Sequence, residues 1–368
     1  MMTASADEAY IELNPSSGEG MQPLSGVRVL DLSRILAGPH AAQSLSDLGA
    51  EVLKLEAPWG DDTRSWGPPF QSGFGGENVA SYFLSCNRGK RIETVNIKQE
   101  QERIRSLVAE HDVVIENFKP GTFDAIVGEV PEKTIVCSIS CYGQDGPRRD
   151  EVAFDLTMQA RSGIMSITGD ADAGPAKVGV AWIDVMTGMN AVSSILAALY
   201  HREKTGKGAR IDISLWDTAL ASLVNQGHNA LAGITPGRMG SAHPNLVPYK
   251  AFEASDGWFA IGVGTENQWH KLVDALKLDV PANWKDNSAR IEERAAVEAT
   301  VQAAVSALDR PTLEGLLAGI PCAPVNTVNE ALADAQTEAR GGLVEHNGVM
   351  TLASPLRFIQ PLNENNEI

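Results

Sequence analysis

The chain has 368 residues, of which 43% are hydrophobic and 21% charged, an ordinary composition for a globular protein with one large and one smaller domain. Its formal net charge of −17 argues against nucleic acid as a partner, because binding to phosphate backbones needs a positive surface. The sequence shows no apolar run near the roughly 20 residues that a membrane span needs, so no membrane partner is predicted.

The N-terminal segment, residues 1–22, is acidic and polar and has no apolar stretch of the signal-peptide kind. We expect a disordered leader and a cytoplasmic protein. The cysteines form no CxxC pair, and the histidines form no HExxH motif. Reduced thiols and no metal site are therefore predicted. The cysteines lie at positions 86, 137, 141 and 322.

Short apolar segments alternate with helical patterns through the first half of the chain. Helices are predicted at residues 38–48, where Gly49 supplies a C-terminal glycine, and at residues 99–110. This alternation predicts an α/β fold, with a mostly parallel sheet in a large Rossmann-like domain over residues 23–205. The strands are predicted at residues 27–32, 51–55, 91–97, 113–116 and 134–140.

The second half of the chain has a different pattern. A long helix is predicted at residues 184–204, then a strand at 209–213 and a helix at 215–231, so residues 206–228 are interpreted as a linker helix region. Two strand patterns flank Ser255-Asp256-Gly257 and predict a hairpin, which helical patterns follow. These features predict a smaller α+β domain at residues 229–325 and a C-terminal segment, residues 326–368, that returns to the large domain.

Asp155 opens a helical segment rich in small residues. An aspartate in this position can be a nucleophile, since carboxylates attack activated acyl groups and form covalent intermediates. It can also be a helix N-cap, because aspartate before an apolar run often has that role. The residue by itself leaves both interpretations open.

Several polar or basic residues lie where ligands of open α/β sheets bind, at the carboxyl ends of strands. Arg34 follows the first predicted strand, and Asn117 and Phe118 follow the strand at residues 113–116. The basic segment Asn87–Arg91 is either a solvated turn or a phosphate-binding patch. No complete GxGxxG or P-loop motif is present, which disfavours a dehydrogenase or an ordinary NTPase.

Taken together and in order, these motifs resemble the type III CoA-transferases, the carnitine and bile-acid CoA-transferase family. The resemblance covers about residues 24 to 359. The segments that carry it are Leu24–Asp31, Arg34–Pro39, Leu48–Val52, Asn87–Arg91, Glu116–Gly121, Phe154-Asp155, Thr205–Gly208 and Gly319–Pro324.

The resemblance implies an enzyme whose nucleophile is Asp155 and which forms an aspartyl-CoA thioester. It implies an interlocked homodimer and coenzyme A thioester as a substrate, with no permanently bound cofactor. Each tetrahedral intermediate would carry an oxyanion, for which Gly240 and Ser241 are the candidate backbone donors. The residues expected along bound CoA are Arg34, Ile35, Lys90, Arg91, Asn117 and Phe118.

The loop Gly240–Tyr249 stands where many members of the family have a run of glycines. It looks like the branch that handles dicarboxylates such as succinate, hydroxymethylglutarate or itaconate. His243 and Asn245 could donate hydrogen bonds to a second carboxylate, and Arg161 or Arg238 could form an ion pair with it. Alternatively, this loop only shapes a turn. The expected reaction moves CoA from succinyl-CoA, or a similar thioester, to a small dicarboxylic acid.

Three alternatives are weighed against this prediction. Related acyl-CoA racemases carry a histidine immediately before the aspartate, but Phe154 cannot exchange a proton. Asp184 matches the other racemase base, although transferases can also carry an acidic residue there. A non-catalytic acyl-CoA-binding protein would be expected to have lost Asp155. Cys322 as a thiol nucleophile is disfavoured because flanking prolines predict a rigid turn.

Overall fold

The computed structural model of the chain describes residues 21–74 and 77–358. Residues 1–20 of the predicted leader and the final residues 359–368 lie outside the described residues. Among the described residues the strands are Arg28–Asp31 (β1), Glu51–Glu56 (β2), Phe70–Phe74 (β3), Glu77–Ala80 (β4), Lys90–Thr94 (β5), Val113–Glu116 (β6), Ile135–Ser140 (β7), Arg210–Ser214 (β8), Tyr249–Ala254 (β9), Gly257–Gly262 (β10), Cys322–Pro324 (β11), Leu343–His346 (β12) and Val349–Leu352 (β13).

The α-helices of the same residues are Ala37–Asp47 (α1), Ser81–Leu84 (α2), Gln101–Glu110 (α3), Thr122–Val127 (α4), Asp155–Arg161 (α5), Ile164–Ile167 (α6), Trp182–Thr205 (α7), Leu215–Ala221 (α8), Val224–Leu231 (α9), Glu266–Leu276 (α10), Asn287–Glu292 (α11), Arg294–Val305 (α12), Arg310–Leu316 (α13), Val328–Leu332 (α14) and Ala335–Ala339 (α15). Two short 3-10 helices cover Asp62–Ser65 and Ala282–Trp284.

The chain divides into two compact units. The described part of the first unit comprises residues 21–164, 178–231 and 335–358, and the second comprises residues 165–177 and 232–334. The predicted linker region carries β8, which pairs with β7, so it lies inside the first unit. It joins this unit because a strand in register with a parallel sheet has its backbone hydrogen bonds satisfied there.

The first unit is built on a parallel sheet with the strand order β5-β2-β1-β6-β7-β8. Successive residues of a strand point to opposite faces, so Val29 packs with α1, α7 and α8 while Leu30 packs with α3 and α4. Both faces of the central strands are buried, which explains their continuous apolar runs. The α/β class with a mostly parallel sheet is thereby confirmed.

The sequence predicted no segment that could span a membrane, but helix α7 does not agree with this prediction. By length and composition alone, α7 is long and apolar enough to cross one. Its buried side chains, which include Ile183, Ala191 and Ile195, belong to the hydrophobic core of the first unit. Gly188 lies where α7 crosses α1, and an added Cβ there would come within 2.8 Å of the Ala37 carbonyl oxygen. Close helix packing thus accounts for its small and apolar residues.

The second unit contains the antiparallel sheet β11-β10-β9. The hairpin predicted around Ser255–Gly257 is present, with Gly257 opposite Ala254. Phe252 and Phe259 point from this sheet into a core that α10, α12 and α13 complete. This arrangement is the α+β pattern that the sequence predicted for this region.

One predicted helix is interrupted. Residues 215–231 form α8 and α9 rather than one helix, because Val224 has a φ of +43°. That region of the backbone map is unfavourable for a β-branched residue, and it ends the helical hydrogen-bond ladder. The sequence carries no proline or glycine at this point that would signal the break.

Candidate active site

A cleft of about 890 Å³ lies at the carboxyl ends of the strands in the first unit. The strand β1 sits between β2 and β6, so the loops that follow β1 and β6 diverge on opposite sides. Such a point in a parallel sheet is where ligands bind. The volume falls within the range of sites that hold cofactor-sized molecules.

Four of the predicted CoA-contacting residues line this cleft, namely Arg34, Ile35, Asn117 and Phe118. The Arg34 N–H donates to Asn117 Oδ1 at 3.1 Å, and Asn117 Nδ2 donates to the Arg34 carbonyl oxygen at 2.8 Å. This reciprocal pair joins the loop after β1 to the loop after β6. Contact with CoA stays a prediction for these residues.

Ile35 has an unusual backbone conformation at the rim of the cleft. Its φ is +73°, which is strained for a β-branched residue. The Ile35 N–H points to the carboxylate of Asp61, with N···O distances of 3.3 and 3.4 Å. Asp61 in turn pairs with Lys54 at 3.1 Å, and both of these side chains are buried. The loops after β1 and β2 are thus connected through a buried ion pair.

Asp155 is the first residue of α5 and lies beside the cleft, which its neighbours Phe154 and Thr157 line. Its side chain is buried, and both carboxylate oxygens are hydrogen-bonded. Oδ1 accepts from the Ile183 N–H at 2.8 Å, and Oδ2 accepts from Gln159 Nε2 at 2.5 Å. These two donors fix the position and orientation of the Asp155 carboxylate.

The structure also tests the N-cap interpretation of Asp155. The N-cap of α5 is Phe154, whose N–H is accepted by Thr157 Oγ1 at 3.0 Å. The Asp155 carboxylate instead satisfies the N–H of Ile183, which has no partner within α7. Asp155 therefore does not cap its own helix.

Gln159 fixes the orientation of this carboxylate. Gln159 Oε1 accepts from the Val178 N–H at 2.9 Å, so the amide group must turn its Nε2 toward Asp155. Gln159 is fully buried, which leaves its amide no water to exchange with. The sequence analysis missed this residue, although its place one helical turn after Asp155 was a usable signal.

A second carboxyl group lies next to Asp155. Asp184, in the first turn of α7, is buried and lines the cleft. Burial, and then the charge of Asp155, raise the pKa of Asp184 to about 7. A raised pKa of this kind is common for a carboxyl group in a catalytic site.

An aromatic wall stands beside the two aspartates. Phe154 is 62% exposed and meets Trp66 edge to face, with 6.4 Å between ring centroids. Trp66 meets Tyr82 in the same way at 5.3 Å. Burial, with smaller effects from Asp184 and other nearby groups, raises the pKa of Tyr82 to about 12. The phenol therefore stays protonated at neutral pH, and Phe154 presents only apolar surface.

Basic side chains line the cleft of this otherwise acidic protein. Lys54 is buried with Asp61, whereas the others are exposed and include three that the sequence analysis missed. The missed residues, Lys98, Lys119 and Arg149, lie in loops that follow strands. A position after a strand is the signal that identified Arg34. The basic residues of the cleft are Arg34, Lys54, Lys98, Lys119 and Arg149.

The segment Asn87–Arg91 does not line this cleft. Lys90 is fully buried, and its ammonium donates to Asp31 Oδ2 at 2.9 Å, to the Pro39 carbonyl oxygen at 2.8 Å and to Asn87 Oδ1 at 2.9 Å. An ammonium has three N–H donors, so none is left for a phosphate. The predicted CoA contact of Lys90 does not fit this geometry. Arg91 pairs with Glu93 at 3.2 Å, away from the cleft.

The predicted oxyanion donors belong to the second unit, whereas Asp155 belongs to the first. Gly240 has a φ of +59°, and an added Cβ would lie 2.8 Å from Asp170 Oδ1, which explains the glycine. The Gly240 N–H donates to the Gly169 carbonyl oxygen at 2.9 Å and so is not free for an oxyanion in this structure. Ser241 Oγ accepts from the Ala251 N–H at 3.0 Å.

The residues predicted to select a dicarboxylate lie in the same loop of the second unit. His243 Nδ1 accepts from the Asn245 N–H at 3.0 Å, and the His243 ring lies 5.2 Å from that of Tyr249. Arg238 donates to carbonyl oxygens within residues 170–173. These contacts shape the loop, and the substrate-binding role of His243 and Asn245 stays a prediction.

In the parts of the chain that the structure describes, no group of three or more His, Cys, Asp or Glu side chains is placed to hold a metal ion. The four cysteines are free thiols. Burial is the main cause that raises the pKa of the Cys86 thiol to about 11 and that of the Cys137 thiol to about 12. Both thiols therefore stay protonated at neutral pH.

Several known CoA-transferases are similar in sequence to this chain. The succinate–glutarate CoA-transferase of Agrobacterium fabrum is 40% identical over 367 residues, covering 92% of each chain. The succinyl-CoA:glutarate CoA-transferase of Mus musculus is 38% identical, over 90% of this chain and 78% of the mouse protein. The succinyl-CoA:mesaconate CoA-transferase of Haloarcula marismortui is 36% identical, over 93% of this chain and 91% of that protein.

The fold is similar to that of a solved structure. A CaiB/BaiF family protein from Brucella suis superimposes with a TM-score of 0.83 at 43% identity, covering 93% of this chain and 94% of that chain. The family model for CoA-transferase family III matches residues 24–360. The chain therefore belongs to CoA-transferase family III and is a CoA-transferase.

Proposed function

We propose that this enzyme moves CoA from succinyl-CoA, or a similar thioester, to a small dicarboxylic acid through an aspartyl-CoA thioester on Asp155. The observation that carries the proposal is the buried Asp155 carboxylate, which Ile183 and Gln159 hold beside a cleft lined with basic residues. The names of the related enzymes support succinyl-CoA as donor and dicarboxylates as acceptors.

The reaction proceeds in balanced steps. The Asp155 carboxylate attacks the thioester carbonyl and releases CoA thiolate. The product on the enzyme is a mixed anhydride of the donor acyl group and Asp155. The thiolate then attacks the aspartyl carbonyl, so the donor acid departs as a carboxylate and the aspartyl-CoA thioester forms. The acceptor carboxylate attacks this thioester, which releases CoA thiolate and forms a new anhydride. The thiolate then attacks the acceptor's acyl carbonyl, which yields the new acyl-CoA and the free Asp155 carboxylate.

A substrate panel tests this proposal. The purified enzyme is incubated with succinyl-CoA and an equimolar mixture of free acids, and the new CoA thioesters are identified by mass spectrometry. We expect thioesters of small dicarboxylates such as glutarate, mesaconate or itaconate to form first. Formation of only monocarboxylate thioesters would contradict the choice of acceptor, and absence of any exchange would contradict the reaction itself.

The exposed lysines of the cleft are expected to bind the CoA phosphates. Replacement of both Lys98 and Lys119 by alanine should raise KM for acyl-CoA by about tenfold at low salt, because each lost ion pair weakens a charge-assisted contact. The KM for the acceptor acid should change little. Steady-state kinetics at two salt concentrations measures both effects.

A matched control is Lys133→Ala. Lys133 is also exposed but precedes β7, so it lies at the opposite edge of the parallel sheet. This variant should leave both KM values unchanged. Equal behaviour of the control and the double variant would place the CoA phosphates elsewhere.

We further propose that His243 and Asn245 select acids that carry a second carboxylate. The double variant His243→Ala/Asn245→Ala should lower kcat/KM for dicarboxylates by up to about 10²-fold, since one or two polar contacts are lost. Activity toward monocarboxylates should be much less affected. Kinetics with a matched pair such as glutarate and butyrate measures the difference, and equal losses for both acids would assign these residues to the turn alone.

We also propose an interlocked homodimer. Helices α7 and α9 carry exposed apolar side chains, including Tyr200, Val224 and Leu231, and a face of this kind is usually covered by a partner. Differently tagged homodimers, when mixed, should form no mixed dimers until they are unfolded and refolded together, because linked chains cannot separate while folded. Rapid subunit exchange or a folded monomer at nanomolar concentration would exclude interlocking.

A further inference from the structure

We propose that Asp184 is a further catalytic residue whose carboxylic acid donates a hydrogen bond to the substrate carboxylate that attacks, or leaves from, the acylated Asp155. The inference rests on the proposed function, and it assigns Asp184 a role distinct from that of the nucleophile Asp155.

The position of Asp184 is tied to that of Asp155. The residue before Asp184 is Ile183, whose N–H donates to Asp155 Oδ1 at 2.8 Å. The Asp184 side chain is therefore presented from the same helical turn that holds the nucleophile. Asp184 also lines the cleft, so a ligand there can reach its carboxyl group.

The carboxyl group of Asp184 has no hydrogen-bond or ion-pair partner among the residues that the structure describes. It is only 9% exposed, which is unusual for an acid without a partner. Asp155, by contrast, has a donor for each oxygen. An acid that lines a cleft and has no protein partner is open to contact with a ligand there.

The surrounding groups favour the neutral acid. Asp155 faces Asp184 from α5, Tyr82 faces it from α2, and Cys141 faces it from the loop after β7. One turn along α7, His40 on α1 packs at Gly188, and burial with nearby Lys90 lowers the His40 pKa. Asp155, Tyr82, Cys141 and His40 carry no positive charge at neutral pH, which agrees with a pKa of about 7 for Asp184.

A hydrogen-bond donor at this place suits the chemistry. The acceptor is a carboxylate that must approach the aspartyl thioester, and an ionised Asp184 would repel it. A neutral carboxylic acid instead forms a strong O–H···O⁻ hydrogen bond with the incoming oxygen. As the acceptor attacks the Asp155 carbonyl, its C–O bond forms and the CoA thiolate leaves. The proton stays on Asp184 throughout, so the reaction needs no other acid or base.

The test compares pH profiles of the wild-type enzyme and Asp184→Asn. Asparagine keeps a neutral donor but cannot ionise. For the wild type we expect kcat/KM for the acceptor acid to fall with pH above about pH 7, approaching tenfold per pH unit. The Asp184→Asn variant should lie within about tenfold of the wild type at neutral pH and lack this decline. Asp184→Ala, which has no donor, should lose about 10²-fold.

Other outcomes overturn the inference. A folded Asp184→Asn variant that keeps the wild-type decline, or Asp184→Ala with full activity, excludes the donor role. If Asp184→Asn does not fold, Asp184→Ser supplies an O–H donor that cannot ionise, and the same expectations apply. Mass spectrometry of the Asp155 adduct separates the two proposals. An adduct with an unchanged pH profile contradicts only the role of Asp184, whereas the absence of an adduct in the wild type contradicts the proposed function.

Discussion

Replacement of Asp155 by alanine is expected to lower kcat by at least about 10³-fold, because it removes the carboxylate that we propose forms the covalent intermediate. In the wild type, brief incubation with succinyl-CoA followed by borohydride or hydroxylamine should modify Asp155 and inactivate the enzyme. Peptide mass spectrometry locates the modification. Full activity of Asp155→Ala would refute the mechanism.

The stability of these variants must be followed as well. Asp155→Ala leaves the buried donors of Ile183 and Gln159 without an acceptor, which should cost about 1–3 kcal/mol. Asp155→Asn keeps one acceptor oxygen and should unfold closer to the wild type while remaining inactive. The control Asp309→Ala removes an exposed N-cap of α13 and should lower stability slightly without loss of kcat.

Replacement of Lys90 by methionine is expected to destabilise the protein by about 3–5 kcal/mol, because it leaves the buried Asp31 carboxylate without its ion-pair partner. Burial acts to raise the pKa of Asp31, but Lys90 and Lys54 outweigh it and hold that pKa below its usual value. The stabilisation is therefore present above the unfolded-state pKa of about 3.9 and is lost as the pH falls through the lower folded-state value. Urea unfolding measures the difference between variant and wild type, which should shrink on acidification.

Two further variants show whether the buried pair is responsible. Lys90→Met combined with Asp31→Asn removes both charges and should recover part of the lost stability. Arg91→Met, next in sequence but 43% exposed, should cost less than about 1 kcal/mol. If Lys90→Met is as stable as the wild type and instead weakens acyl-CoA binding, Lys90 is a ligand contact and the structural role assigned to it is wrong.

The strands that the sequence predicted well are those buried on both faces. Val113–Glu116 and Ile135–Ser140 read as continuous apolar runs because helices cover both sides of the sheet. Cys322–Pro324 was interpreted as a rigid turn, yet it forms the edge strand β11. Proline is tolerated at a sheet edge, and a strand of this length is defined by its partner more than by its own residues.

The site was predictable to the extent that it depends on strand ends. Arg34 and Asn117 follow β1 and β6, and parallel strands bring their carboxyl ends to one edge. The contacts of Asp155 with Ile183, and of Lys90 with Asp31, join residues far apart in sequence, so no local pattern reveals them. A basic cluster in the sequence likewise does not show which of its side chains points into the core.

Hydrogen bonds and an ion pair already connect the loops at the rim of the cleft when no ligand is bound. Arg34 and Asn117 connect the loop after β1 to the loop after β6. The contact of Ile35 with Asp61, which pairs with Lys54, connects the loop after β1 to the loop after β2. Coenzyme A is a long and flexible molecule that loses much conformational entropy when it is held in one shape. If CoA binds at these loops, as predicted, their existing order means that the entropy lost on association comes mainly from the ligand, and a given set of contacts yields tighter binding than loose loops would allow.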